Sequence, residues 1–219
     1  MSLSVCKFGG SSLADGNNIS RVTEIIGSDP TRRFVVVSAP GKRYSDDIKV
    51  TDLLYACYRE SVEKGSCAET FQKIRKRFRS IVTELGMDSF DIDGILDETE
   101  RAIEENKSAD FTASRGEYLN ARVVAAKLGR TFIDAKDIIF FDENGRFDES
   151  RSYPLIAEKL SAAGSAVVPG FYGTGADGKI RTFSRGGSDI SGSIVARAMN
   201  ADVYENWTDV SGFLACDPR

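Results

Sequence analysis

An α/β fold with a largely parallel central sheet flanked by helices is what this 219-residue sequence predicts, and three features predict it. Short β-rich runs alternate with segments of helical periodicity. The run Val35-Val36-Val37 is apolar without alternation, as in a strand covered by helices on both faces. Glycine-rich turns stand where an expected strand ends and an expected helix begins.

Taken in order, residues 3–8 read as the first strand, 17–28 as a helix and 34–38 as a second strand. From residue 51 to about 128 the pattern is helical, with Phe71, Ile74, Phe78, Ile81 and Leu85 at spacings of three and four, and two or three helices are expected there. Within it Lys73, Arg75, Lys76, Arg77 and Arg79 read as a solvated helix face with no chemistry assigned. Further strands are expected at 131–133, 138–141, 166–168, 179–183 and 202–204. Helices are expected at 154–163, where Pro154 suits a first turn, and at 188–199. The Asp177-Gly178 pair signals a hairpin turn.

Composition excludes several classes. Hydrophobic residues make up 41% and charged residues 28%, ordinary for a folded globular chain. The net charge of −4 leaves no electrostatic footprint for nucleic acid or an anionic membrane. No stretch approaches the ~20 apolar residues of a membrane span, and the first residues lack the apolar core of a signal peptide. Cys6, Cys57, Cys67 and Cys216 have neither a metal-ligand spacing nor the density of a disulfide scaffold, which fits a reducing cytoplasm. The chain has no histidine, so chemistry must rest on carboxylates, lysines, hydroxyls and backbone amides.

Two segments point to bound anions. In Lys7-Phe8-Gly9-Gly10-Ser11-Ser12 the adjacent glycines let backbone approach a phosphate, and the lysine at the strand end supplies charge. The glycine spacing is neither that of the Walker loop nor that of the dinucleotide fingerprint; a plain strand-to-helix turn is the alternative. Ser184-Arg185-Gly186-Gly187-Ser188-Asp189 also follows a strand and opens a helix, with Ser188 a candidate N-cap. Arg185 can hold a carboxylate through two parallel hydrogen bonds, whereas Lys7 is a point charge suited to a moving phosphoryl group. The pair suggests a carboxylate substrate facing a nucleotide. Trp207-Thr208-Asp209-Val210-Ser211-Gly212 and Asp217-Pro218-Arg219 read as loops.

These segments, with Val35-Val36-Val37-Ser38-Ala39, Val50-Thr51-Asp52-Leu53-Leu54 and Ser114-Arg115-Gly116-Glu117, occur in the order found in aspartokinases, and from residue 3 to 219 the chain resembles that family. The resemblance implies the three-layer amino-acid-kinase fold, incomplete at its C-terminus. It implies transfer of a phosphoryl group from ATP, with Mg²⁺, to the side-chain carboxylate of L-aspartate, the first step of lysine, threonine and methionine biosynthesis. By the same resemblance Lys7, Gly9, Gly10 and Ser11 would contact the phosphates, with Thr208, Asp209, Leu214 and Arg219 lining the rest of the ATP site. Ser38, Thr51, Glu117, Arg185, Gly187 and Ser188 would bind aspartate. Glu117 would pair with its ammonium and Arg185 with its α-carboxylate. Asp189 would position the lysine charge rather than act as a base, because a carboxylate nucleophile is already ionised at neutral pH. No protein-held metal is implied. Catalysis is then positioning and charge stabilisation.

Departures stand beside the matches. Arg115 occupies a place where another polar residue is frequent, Ser211 one where proline is common, and Phe213-Leu214 replaces an apolar–tyrosine pair. Family members continue well past Asp217-Pro218-Arg219, with the rest of the nucleotide half and usually paired ACT domains. The chain is therefore expected to hold the amino-terminal, substrate-binding part of one catalytic domain and to be weakly active or inactive alone. Family members are generally homo-oligomers, and Phe71, Ile74 and Phe78 offer an apolar face for association. The alternatives are a non-catalytic aspartate-binding fragment, or a kinase of the same fold for another amino acid or a nucleoside monophosphate.

Overall fold

A computed structural model describes residues 2–184 and 186–208. The first strand, β1 (Ser4–Phe8), is buried along its length between β2 (Arg32–Val37) and β7 (Val203–Trp207), both parallel to it. On the far side of β2 lie β4 (Ala166–Pro169) and then the short β3 (Thr131–Phe132), again parallel. The order is β3-β4-β2-β1-β7. The chain thus runs outward from β1 through β2 and later returns past β1 to β7, so the crevice beyond the carboxyl end of β1 is the topological switch point.

Period-two alternation assigns each strand residue to a layer. Cys6, Phe8, Val35, Val37 and Val167 face one core, and Val5, Phe34, Val36, Ala166 and Val168 face the other. The first core is closed by α1 (Gly16–Gly27), α2 (Val50–Lys64), α3 (Ala68–Glu84), α4 (Ile92–Asn106) and α5 (Ala109–Leu128). The second is closed by α6 (Glu149–Ala163) and α7 (Gly187–Ala198). A three-layer α/β arrangement with a parallel sheet results, as the sequence predicts. Lys7 shares the α7 face with Val5 because both are odd positions of one strand.

Several expectations are corrected. The helical middle holds four helices, not two or three. Gly65 (φ 82°), Gly86 (φ 65°) and Lys107 (φ 46°) adopt left-handed backbone that ends α2, α3 and α4 in turn. Residues 138–141 form no strand. Ile138 and Ile139 bond back to the carbonyl of Ala135, and Phe140 and Phe141 make only isolated bridges, although Ile138, Ile139 and Phe141 fill the second core. Helix α6 starts five residues before Pro154, capped by Asp148, whose carboxylate accepts from the Arg151 amide at 3.1 Å. The proline is exposed inside the helix, so the bond it cannot donate leaves a carbonyl within reach of water. At α7 the N-cap is Gly186, left-handed with φ 58°, and Ser188 is already inside the helix.

The basic run on α3 divides. Lys73, Lys76 and Arg79 are exposed, but Arg75 and Arg77 are buried, at 7% and 4% exposure. Arg75 pairs with Asp97 at 2.7 Å and with Glu100 at 2.8 Å. Phe71, Ile74 and Phe78 are fully buried in the first core, so they offer no face for association. The hairpin of β5 (Tyr172–Thr174) and β6 (Ile180–Thr182) turns where Asp177-Gly178 predicts, with Gly178 at φ 77°. Cys6, Cys57 and Cys67 are buried free thiols. No helix among the described residues is long and apolar enough to cross a membrane.

Candidate active site

The carboxyl ends of β1, β2 and β4 open onto a cleft with two contiguous parts. One part, about 580 Å³, is lined by Gly10, Ser11, Ser38, Lys42, Lys49, Thr51 and Glu117 among others. The other, about 520 Å³, is lined by Lys7, Ser38, Lys49, Thr51, Glu117, Phe171, Gly187, Ser188 and Asp189 among others. Ser38, Lys49, Thr51 and Glu117 belong to both and mark the junction. The sheet gathers residues separated by up to 182 positions in the sequence, Lys7 to Asp189.

At the floor, the buried Lys7 ammonium lies 2.7 Å from Asp189 Oδ1 in the first turn of α7. The contact is an ion pair between the two charges. The Gly9 amide is already used, donating to the Trp207 carbonyl at 3.0 Å, which leaves Gly10 and Ser11 on the cleft wall. Gly10 must be glycine for space: a Cβ there would stand 2.8 Å from the Ala39 carbonyl oxygen. Its own carbonyl accepts from the Gly41 amide at 2.8 Å and the Leu13 amide at 3.1 Å, locking the two loops together.

Glu117 reaches the cleft from the middle of α5. That helix approaches closely because residue 116 has no side chain; a Cβ there would lie 2.7 Å from that of Ala39. Asn120, one turn on, donates to the Ser38 carbonyl at 2.7 Å and fixes the same loop. The Glu117 carboxyl is buried, and its Oε2 has no hydrogen-bond partner among the described residues. Burial pushes its pKa up to about 8; the amides of Ala39 and of Glu117 itself and the charge of Arg115 oppose the shift only in part. Arg115 is turned away, its guanidinium over the rings of Phe111, Tyr118 and Tyr172 at 4.4, 4.6 and 5.3 Å. Its place in the motif is therefore a packing role.

Phe171, on the cleft wall, has left-handed backbone (φ 79°). Its amide donates to Ser191 Oγ at 3.0 Å and its carbonyl accepts from Phe183 at 2.9 Å. The fold holds an unfavourable conformation at the site.

Of the residues singled out in the sequence, Lys7, Gly10, Ser11, Ser38, Thr51, Glu117, Gly187, Ser188 and Asp189 line this cleft. Thr208 lines a smaller pocket of about 190 Å³ on the α1 side, with Phe8, Arg21, Ile25 and Trp207. Arg185, Asp209, Leu214 and Arg219 lie outside the described residues. The sequence does not single out Lys49 or Asn120, and Gly116 stands in the Ser114-Arg115-Gly116-Glu117 motif without an assigned role. Asn120 had a usable signal, since it lies three residues beyond Glu117 and so on the same helix face. Among the described residues no group of three or more His, Cys, Asp or Glu side chains could hold a metal ion.

Comparison with known proteins adds an independent line. The family described as the amino acid kinase family matches residues 2–219. Aspartokinase 3 of Bacillus subtilis is 38% identical over 99% of this chain and 50% of its own length. Lysine-sensitive aspartokinase 3 of Escherichia coli is 30% identical over 98% of this chain and 51% of its own. The crystal structure of Clostridium acetobutylicum aspartate kinase superposes with a TM-score of 0.94 at 50% identity, covering 100% of this chain and 50% of that one. That of E. coli aspartokinase III in complex with aspartate and ADP gives 0.78 at 26% identity over 96% of this chain and 50% of that one. The chain spans about half the length of these relatives.

Proposed function

The chain belongs to the amino acid kinase family, and from that premise we propose that its cleft is the substrate half of an aspartate kinase, which transfers the γ-phosphoryl group of ATP to the side-chain carboxylate of L-aspartate. The observation that carries this reading is Glu117: a buried carboxyl group with one oxygen unpartnered among the described residues, at the junction of a cleft whose other acid, Asp189, is already paired with Lys7. Such a group requires a cationic partner, and the ammonium of an amino acid supplies one. The named relatives are aspartokinases, and one of them is described with aspartate and ADP bound.

In this reading Glu117 and Arg185 grip the ammonium and the α-carboxylate. Ser38, Thr51, Gly187 and Ser188 close around the amino acid, and its side-chain carboxylate points toward the amides of Gly10 and Ser11. Lys7, aligned by Asp189, stabilises the charge that spreads over the phosphoryl oxygens during transfer. The nucleophile is an ionised carboxylate, so no general base is needed. Mg²⁺ would come bound to the nucleotide phosphates. Thr208, Asp209, Leu214 and Arg219 complete the nucleotide wall, Gly9 orders the loop through Trp207, and a cytoplasmic location suits the buried free thiols.

Calorimetry of the chain with L-aspartate and, separately, with Mg-ATP tests the reading, repeated for Glu117→Ala and Arg185→Ala. Aspartate binding lost in both variants is the expected result. A folded wild-type chain that gives no heat with aspartate would overturn it.

A further inference from the structure

We propose that Lys49 reads the side-chain carboxylate of the amino-acid substrate and thereby selects an acidic amino acid over its amide; the inference rests on the kinase reading of the same cleft. Lys49 is one of four residues that line both parts of the cleft, and of those four it alone carries positive charge. The others, Ser38, Thr51 and Glu117, offer hydroxyls and an acid.

A cation at the junction fits the charge balance of the site: Lys42 and Arg43 line the first part only, Lys42 donating to the Ser45 carbonyl at 3.0 Å and Arg43 paired with Asp47 at 2.9 Å. Lys7 is held 2.7 Å from Asp189, so much of its charge is answered within the protein. Glu117 adds a further acid to a cleft that must admit a dicarboxylate and a polyphosphate. Lys49 makes no ion pair and no side-chain hydrogen bond among the described residues. Among the described residues the cation whose charge acts on Glu117 is Arg115, so Lys49 is not spent on that carboxyl.

Its position also runs against helix stability. Lys49 is the N-cap of α2, with extended backbone and no capping bond from its side chain. A cation there faces the positive end of the helix dipole, where Ser, Thr, Asp or Asn would stabilise. Its carbonyl accepts from the Leu53 amide at 3.1 Å, but its side chain caps nothing, and a side chain that stands unpaired among the described residues at the junction of a substrate cleft is placed for a ligand.

The backbone that presents it is braced. Arg77, buried in α3, donates to the carbonyls of Gly41 at 3.0 Å, Ala14 at 3.2 Å and Ile48 at 3.4 Å, and pairs with Asp47. Asp47 in turn accepts from Arg43 Nε and Nη2, both at 2.9 Å. The residues immediately before Lys49 are therefore fixed to the core, and its ammonium is offered from a rigid base.

The test compares L-aspartate with L-asparagine on the 219-residue chain, using ligand-observed competition NMR, which reaches millimolar affinities. Wild type is expected to prefer aspartate. Lys49→Ala should weaken aspartate about tenfold or more, the scale of one charge-assisted hydrogen bond, and leave asparagine within about twofold. Lys49→Arg should restore most of the preference, with thermal midpoints unchanged in both variants. Equal loss for both ligands would mean a structural role, and an unchanged preference in Lys49→Ala would mean none; either overturns the proposal and leaves the kinase reading intact. Binding of neither amino acid to folded wild type would overturn both.

Discussion

Lys7 at the end of β1 and Asp189 in the first turn of α7 meet at 2.7 Å across the floor of the cleft. The lysine is almost buried and the aspartate about half exposed. The pair ties a central strand to the helix that follows the second glycine-rich turn. Asp189→Asn leaves the buried ammonium with a weaker partner. A fully buried pair loses about 3–5 kcal/mol when broken; discounted for the exposure of Asp189, a loss of roughly 1–2 kcal/mol is expected. The urea midpoint measures it. Lys7→Met, which removes the charge, is expected to abolish Mg-ATP binding while Asp189→Asn retains it. Equal nucleotide binding in Lys7→Met and wild type would remove Lys7 from the phosphate site.

Glu117 predicts a pH dependence of stability. Its folded pKa of about 8 lies above the ordinary carboxyl value of 4.5. Between those two values the folded chain keeps a proton that the unfolded chain has released, so this group lowers stability as pH rises through the window. Above about 8 the whole penalty is present. Glu117→Gln has no such proton to lose. Thermal midpoints measured from pH 5 to pH 9 should fall less for the variant, with the two curves diverging toward pH 9. Parallel curves would show that Glu117 ionises normally.

The same group predicts proton release on binding. An ammonium beside Glu117 favours its ionised form, so aspartate binding at pH 7 should expel a proton and strengthen as pH approaches 8. Calorimetric heats at pH 7 should then vary with the ionisation enthalpy of the buffer, and Glu117→Gln should abolish that variation together with most of the affinity. Heats independent of buffer would place the ammonium elsewhere.

Legibility in the sequence followed the range of the interaction. Strands β1, β2 and β4 were readable because period-two burial and continuous valine runs are local. The cleft residues of the glycine-rich turns were readable for the same reason, since a short motif holds its own chemistry. Residues 138–141 were misread because apolar content decides burial but not hydrogen bonding, and here the amides bond to a short turn beginning at Ala135. Arg77 was misread as solvated because its acceptors, Gly41, Ala14 and Asp47, lie 30 to 63 residues away and no pattern within α3 announces them. Lys49 was invisible because a lysine at a helix start looks like a surface residue until the cleft beside it is seen.

Arg77 supplies a prediction about that long-range brace. Arg77→Lys keeps the charge but not the planar fork that serves three carbonyls and a carboxylate at once. A stability loss of about 1–3 kcal/mol is expected from the buried acceptors left unmatched. In a cycle with Asp47→Asn, a coupling of about 0.5–3 kcal/mol is expected, as for residues in direct contact. Additive losses would show that the pair does not act as a unit.

Gly116 tests whether the approach of α5 to the β2 loop sets the position of Glu117. A Cβ at residue 116 would lie 2.7 Å from the Ala39 Cβ and 3.2 Å from Leu54 Cδ1, nearer than side chains pack. Gly116→Ala must therefore push the helix away from Ser38 and Ala39, lengthening the Asn120 bond to Ser38 and withdrawing Glu117 from the junction. Overpacking of this kind destabilises by about 1–3 kcal/mol, which outweighs the helix propensity of roughly 1 kcal/mol that alanine adds. Aspartate affinity should fall with stability. The second variant decides the cause: Ala39→Gly added to Gly116→Ala removes the clashing methyl group from the other side. If close approach is the reason for the glycine, the double variant recovers the aspartate binding that Gly116→Ala alone loses. If binding stays lost, residue 116 matters for some reason other than space.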